Sequence, residues 1–166
     1  MKRVLFILFV LMIFVFVGCT SQIEITGDEK TAEDFIKAKG YTITARKGQI
    51  QKYVLEKNKL YGTTETIPYQ QVWGVQEVEP DKYFGKEIIV YGFTVKNHPK
   101  QKEDKNAKDG VNVFVMLSEG KIIGGYSYPN ADVVGAFNSL DGKTLEEVTG
   151  LSFQQWQDCW KKKYGN

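Results

Sequence analysis

Three segments between residues 87 and 128 constrain the fold of this chain more than any other feature of its 166 residues. Glu87 to Lys96 reads EIIVYGFTVK, with Ile89, Tyr91, Phe93 and Val95 on one face. Val111 to Leu117 alternates as cleanly and sets Val111, Val113, Val115 and Leu117 side by side. Ser118-Glu119-Gly120-Lys121 is a tight-turn signal, and Ile122 to Tyr128 returns as another strand. Side chains alternate faces along a strand, so a period of two marks β structure. A short Gly-bearing connection joins antiparallel neighbours. Residues 87–128 are therefore predicted as a three-stranded antiparallel meander. Gly92, inside the first strand, signals a bulge or a close backbone approach.

Weaker signals surround the meander. Thr31-Ala32-Glu33-Asp34 has the form of a capping box and predicts a short helix ending at Gly40. Tyr41–Thr44 reads as a strand, and Lys52–Leu60 is ambiguous, with a strand favoured over Tyr53–Glu56. Pro68 suits a first helical position, and Tyr69, Val72, Trp73 and Gln76 continue at helical spacing, so 68–77 is predicted as a helix. Gly74 costs that helix about 1 kcal/mol. Residues 97–110 are almost wholly polar and read as a mobile, solvated loop. Residues 129–143 read as loop, with one helical turn near Ala131–Val134. Thr144-Leu145-Glu146-Glu147 is a second capping box. Ser152 and Gln155 form a third, and behind it Phe153, Trp156, Trp160 and Tyr164 make one apolar stripe. The expected fold class is α+β: an antiparallel sheet of about four strands, helices packed on one face, and a C-terminal amphipathic helix.

The N-terminus carries a different message. Lys2 and Arg3 precede an unbroken apolar run from Val4 to Val17. The run is shorter than the roughly 18–20 residues of a membrane span and has the charge layout of a secretory signal. Phe16-Val17-Gly18-Cys19 closes it and resembles the lipobox of bacterial lipoproteins. That resemblance implies cleavage after Gly18 and acylation of Cys19, with acyl chains adding roughly 0.8 kcal/mol per buried CH₂. The implied organisation is a leader over 1–18, a lipidated tether over 19–30 and one domain over 31–166.

Composition narrows the function classes. There are 22 Lys+Arg against 20 Asp+Glu, and loss of Lys2 and Arg3 would leave 20 against 20. That balance excludes electrostatic steering to nucleic acid. Charged residues at 25% and hydrophobic residues at 42% exclude a disordered polyelectrolyte and a multi-spanning membrane protein. Two cysteines exclude a disulfide-stapled mini-protein.

The segments GKEIIVYGFTVKNHP, VNVFVMLSEGKIIGGYSYP and LSFQQWQDCWKKKYGN resemble small lipoproteins of Bacillus-type Gram-positive bacteria. The meander, with Ile123-Gly124-Gly125, is also similar to a Firmicute domain of unknown function. The resemblance implies a place on the outer face of the cytoplasmic membrane. It supplies no catalytic residue.

Motifs that could carry chemistry fall short on spacing. Gly125-Tyr126-Ser127-Tyr128-Pro129 ends in Pro where a nucleophile elbow needs Gly, and His98, the single histidine, precedes the serine. Ser118-Glu119-Gly120-Lys121 spells S-x-x-K on a hairpin turn rather than at a helix start. Gly142-Lys143-Thr144 lacks the first glycine of a phosphate loop, whose place falls on Phe137. Asp104, Asn106 and Asp109 suggest a calcium loop, but Val115 stands where its closing carboxylate belongs. Cys159 and His98 could form a thiol pair, although a cysteine between Trp156 and Trp160 reads as a small buried hydrophobe.

No catalytic residue, cofactor or metal site is expected. The aromatic residues Tyr126, Tyr128, Trp156, Trp160 and Tyr164 read as core, and become the candidate contact surface if exposed. The expected function is a membrane-anchored, extracytoplasmic, non-catalytic binding module. Its partners would be the membrane, through lipid on Cys19, and a protein or small molecule, with no nucleic acid. A small inhibitor of an exported enzyme, using loop 97–110, and a thiol-dependent enzyme are the alternatives.

Overall fold

The computed structural model describes residues 27–131 and 135–165. The leader, Cys19 and most of the tether lie outside the described residues. Among the described residues no helix is long and apolar enough to cross a membrane.

Helix α1 (Asp28–Ala38) leads into β1 (Thr42–Val54), and α2 (Ile67–Gly74) precedes β2 (Glu87–Lys96). A four-residue α3 (Lys100–Glu103) precedes the hairpin of β3 (Val111–Ser118) and β4 (Lys121–Pro129). The short strand β5 (Asn138–Ser139) is followed by α4 (Leu145–Thr149) and α5 (Phe153–Tyr164). The sheet has five strands in sequence order, each antiparallel to its neighbour. The fold class is α+β, and the meander stands where the alternation put it. Its tight turn is formed by Glu119 at φ 53° and Gly120 at φ 71°. Two successive residues at positive φ match the right-handed twist of the flanking strands.

Helices cover both faces of the sheet, not one as expected. On the first face, Ile88, Val90, Phe114, Met116 and Tyr126 pack with Leu55, Leu60, Trp73, Val75, Trp156, Trp160 and Tyr164. On the second, Phe93, Val95, Val111, Val113, Val115 and Leu117 pack with Ala32 and Ile36 of α1, and with Tyr41, Ala107 and Leu140. The cause lies in β3, all eight of whose residues are buried. A strand apolar on both sides needs a layer on each.

Other elements also depart from the sequence reading. α1 begins at Asp28, a turn before Thr31, so the last residues of the expected tether are helical. Asp28 and Glu29 in its first turn suit the positive end of the helix dipole. β1 is one strand of 13 residues instead of two pieces, paired with β2 through three register shifts. Its middle, ARKGQIQK, is polar because it forms an edge exposed to water. β5 was missed altogether: two residues give no periodicity. Residues 97–110 contain α3 and a 3₁₀ turn (Lys105–Ala107), and His98 and Ala107 within them are buried. The segment is thus pinned at two points, where composition suggested a solvated loop. The helical turn expected near Ala131–Val134 falls largely on 132–134, outside the described residues.

α2 ends at Gly74 rather than at 77. A Cβ on Gly74 would stand 2.6 Å from Cζ2 of Trp156. The intrinsic cost of this glycine is offset by close approach of α5.

Candidate functional site

The three capping signals had different fates. The Thr31 box is not used, since α1 has Gly27 at its N-cap and no side-chain cap. The Thr144 box forms: Thr144 Oγ1 accepts from Glu147 N–H, and Glu147 Oε2 accepts from Thr144 N–H at 2.7 Å. Ser152 and Gln155 do the same at the start of α5. These caps fix the entry angles of α4 and α5, and with them the position of Leu145 and Phe153.

α5 buries Trp156, Trp160 and Tyr164 against the first face of the sheet. Trp160 Nε1 donates to the Leu60 carbonyl at 2.7 Å, and its ring packs against those of Trp156 and Tyr164. Tyr126 and Tyr128 stack on Phe114 with centroids at 4.7 and 5.1 Å. Tyr126, Trp156, Trp160 and Tyr164 are buried and Tyr128 is half-buried. The sequence-derived contact set is therefore core, not surface. Burial raises the hydroxyl pKa of Tyr126 and Tyr128 and pushes that of Tyr164 up to about 12.

Phe153 is the member of the stripe that the core does not take. As the first helical residue it lies beyond the sheet, and it is 53% exposed. Its ring stacks on Trp156 at 6.0 Å between centroids. Between Phe153 and β5 opens a groove of about 250 Å³. Its walls are Val75, Phe137, Leu145, Trp156 and Phe153, with Gln71, Asn138, Thr144 and Glu146 also lining it. Four elements meet there: the end of α2, β5, and the starts of α4 and α5. An apolar floor with a few polar groups at the lip is the general form of a binding site. Among the described residues Glu146, exposed on α4, is the one charged side chain in the lining.

Of the residues that could have carried chemistry, Ser127, His98, Ser118 and Asp104 are hydrogen-bonded to backbone, and Cys159 stands apart from them. Ser127 is fully buried in β4, and its hydroxyl donates to the Ser139 carbonyl at 2.8 Å. His98 is also buried, with Nε2 2.9 Å from the Leu140 carbonyl. A carbonyl only accepts, so Nε2 carries the proton, and Nδ1 accepts from Lys100 N–H at 3.2 Å. Both ring nitrogens are thus committed to backbone. Burial holds the imidazole below its usual pKa. Cys159 is exposed on α5, contrary to its reading as a buried hydrophobe, because Trp156 and Trp160 take the inward face. It lies over the first face, whereas His98 packs beside Tyr41 in the second layer, so the two form no pair. Ser118 Oγ donates to the Glu87 carbonyl within the β2–β3 ladder. Lys143 and Thr144 form a helix entry. Asp104 Oδ1 accepts from Asn106 N–H and caps the 3₁₀ turn.

The groove had no signal that sequence reasoning used. Phe153 falls on the stripe by spacing, and only its place at the first helical position marks it as different. Phe137 and Asn138 sit in a stretch that reads as loop. No protein-family model, no curated protein and no solved structure matches this chain.

Proposed function

We propose that this protein is a lipid-anchored, extracytoplasmic interaction module, and that the groove beside Phe153 is its contact surface. The anchoring rests on the charged start, the apolar run and the Gly18-Cys19 step, read as a bacterial lipoprotein signal. The contact reading rests on one observation: a large aromatic side chain left half in water at the lip of an apolar groove. Exposed apolar surface of this kind marks a binding surface, and Phe153 is the one exposed aromatic side chain among the described residues. A non-catalytic role is supported by the full engagement of Ser127 and His98 and by the distance in layers between His98 and Cys159. The inhibitor reading needs a free insertion loop and gains nothing from residues 97–110, which are tied down by His98 and Ala107.

Expression of the full chain in a Gram-positive host tests both halves. Intact-mass measurement is expected to find acylated Cys19 as the first residue, and Cys19→Ala is expected to release the protein from the membrane fraction. In-cell crosslinking followed by pull-down is expected to recover a reproducible partner. An unmodified amino end in the soluble fraction would overturn the anchoring, and no recovered partner would overturn the contact reading.

A further inference from the structure

We infer that His98 is a proton-operated latch between α3 and the loop 140–143: uptake of one proton by its buried ring frees α3 while the sheet stays closed. The inference stands on the hydrogen-bond geometry of the ring and holds whatever the groove beside Phe153 binds.

The latch is built at the end of β2. Asn97 turns the chain at φ 65°, a conformation that Asn tolerates better than most residues, and its side-chain amide donates to Thr42 Oγ1 at 3.0 Å. His98 then enters the core and is 1% exposed. Its Nε2–H donates to the Leu140 carbonyl at 2.9 Å, and its Nδ1 accepts from the Lys100 N–H at 3.2 Å. One ring thus joins two segments that lie 40 residues apart in sequence. Gly142 closes against it, since a Cβ there would stand 3.0 Å from both His98 Cε1 and Lys100 Cγ. The Tyr41 ring packs on the imidazole with centroids at 4.9 Å.

Protonation cannot be absorbed in this setting. Neutral imidazole accepts at one nitrogen, whereas imidazolium donates at both. A proton on Nδ1 would face the Lys100 N–H, donor against donor, and leave that amide without an acceptor. Burial of the charge adds a desolvation cost. The charged and titratable groups facing the ring among the described residues are Tyr41, Asp141, Lys100 and Glu103. Asp141 is already paired with Lys39 at 3.0 Å and bonded to Tyr41 Oη at 2.9 Å, and Glu103 is paired with Lys100 at 3.5 Å. The ring therefore takes its proton in water, which it reaches when α3 lifts.

Opening is local because α3 holds so little. It has four residues, none of them buried. The amides of Gln101, Lys102 and Asp104 donate only to carbonyls within 98–100. A helix this short has no stability of its own, so the bond to His98 decides its order. The loop 140–143 runs between Asn138 and Thr144, which both line the groove beside Phe153. Acid thus loosens a support of one groove wall, and this consequence alone rests on the contact reading above.

Mass-detected hydrogen exchange on the full-length chain, corrected for the intrinsic pH dependence of exchange, tests the latch from neutral pH down to about pH 5. An exposed imidazole takes its proton near 6.5, so the open fraction over 100–104 is expected to rise about tenfold for each pH unit below that value while β3 stays protected. His98→Gln, whose amide takes no proton, is expected to remove the dependence. His98 is the single histidine, so NMR of the imidazole nitrogens gives a second reading on the unaltered chain. It is expected to show the Nε2–H tautomer at neutral pH and ring protonation in step with the exchange. Absent or constant protection over 100–104, or loss there and in β3 together, would overturn the latch. So would a pH response kept in His98→Gln, or a ring that titrates while 100–104 stays protected.

Discussion

Gly74 shows how a single missing Cβ sets the distance between two helices. Gly74→Ala would drive the new carbon to 2.6 Å from Trp156, whose ring is packed between Phe153 and Trp160. Overpacking of this kind costs about 1–3 kcal/mol, and urea unfolding should show it as a lower midpoint with an unchanged slope. Two buried titrating residues, Glu33 and His98, bear on stability in acid. Glu33 is buried on α1, accepts two bonds from Arg46 at 2.9 and 3.0 Å and one from Lys37, and these hold its carboxyl down to about 2. A depressed carboxyl adds stability above its ordinary value of 4.5 and loses it as pH falls towards 2. His98 stays neutral in the fold while the unfolded chain takes a proton near 6.5, so stability also falls as pH drops below 6.5. Thermal midpoints followed from neutral pH downward should decline in two stages. His98→Gln should flatten the upper stage and Glu33→Gln the lower.

At the scale of elements, the two capping boxes carry equal bonding and unequal consequence. Ser152→Ala and Thr144→Ala each remove an N-cap acceptor, at a cost of about 0.5–2 kcal/mol. Ser152 holds the helix bearing three core aromatic residues, so its loss should lower the global unfolding midpoint. Thr144 holds a five-residue helix with no buried residue, so its loss should appear as faster local amide exchange over 145–149. The elements legible in the sequence are those with a strong local pattern: the meander, the tight turn at 118–121, and the helix behind Ser152. The rest were written in contacts that no local window contains. β1 is polar through its middle because it is an edge, and β5 exists because Tyr126 and Ser127 accept it as a partner. The Thr31 box matched a template, yet the helix starts a turn earlier, with Gly27 at its N-cap and Asp28 and Glu29 at the positive end of its dipole.

For the molecule as a whole, the decisive fact is a sheet covered on both sides. β3 has a strand on each edge and a layer on each face, so its amides should exchange most slowly, near the rate of global unfolding. The outward amides of β1 should exchange fastest among the strands, and mass-detected hydrogen exchange would resolve the order. The two-sided cover departs from the one-faced sheet the sequence led us to expect, and its cause sits in VNVFVML, where Phe114 and Met116 fill what would otherwise be a polar face. The groove was not legible, because it depends on how four element ends converge. The same seven residues have a consequence before folding. They carry no charge, proline or glycine and combine strong β-formers with low polarity, which is the profile of a segment that stacks with its own kind in fibrils. Lys108 and Asp109 stand on one side, and Glu119 and Lys121 on the other. Charges so placed act as gatekeepers, keeping newly made chains apart until both layers have closed over the strand.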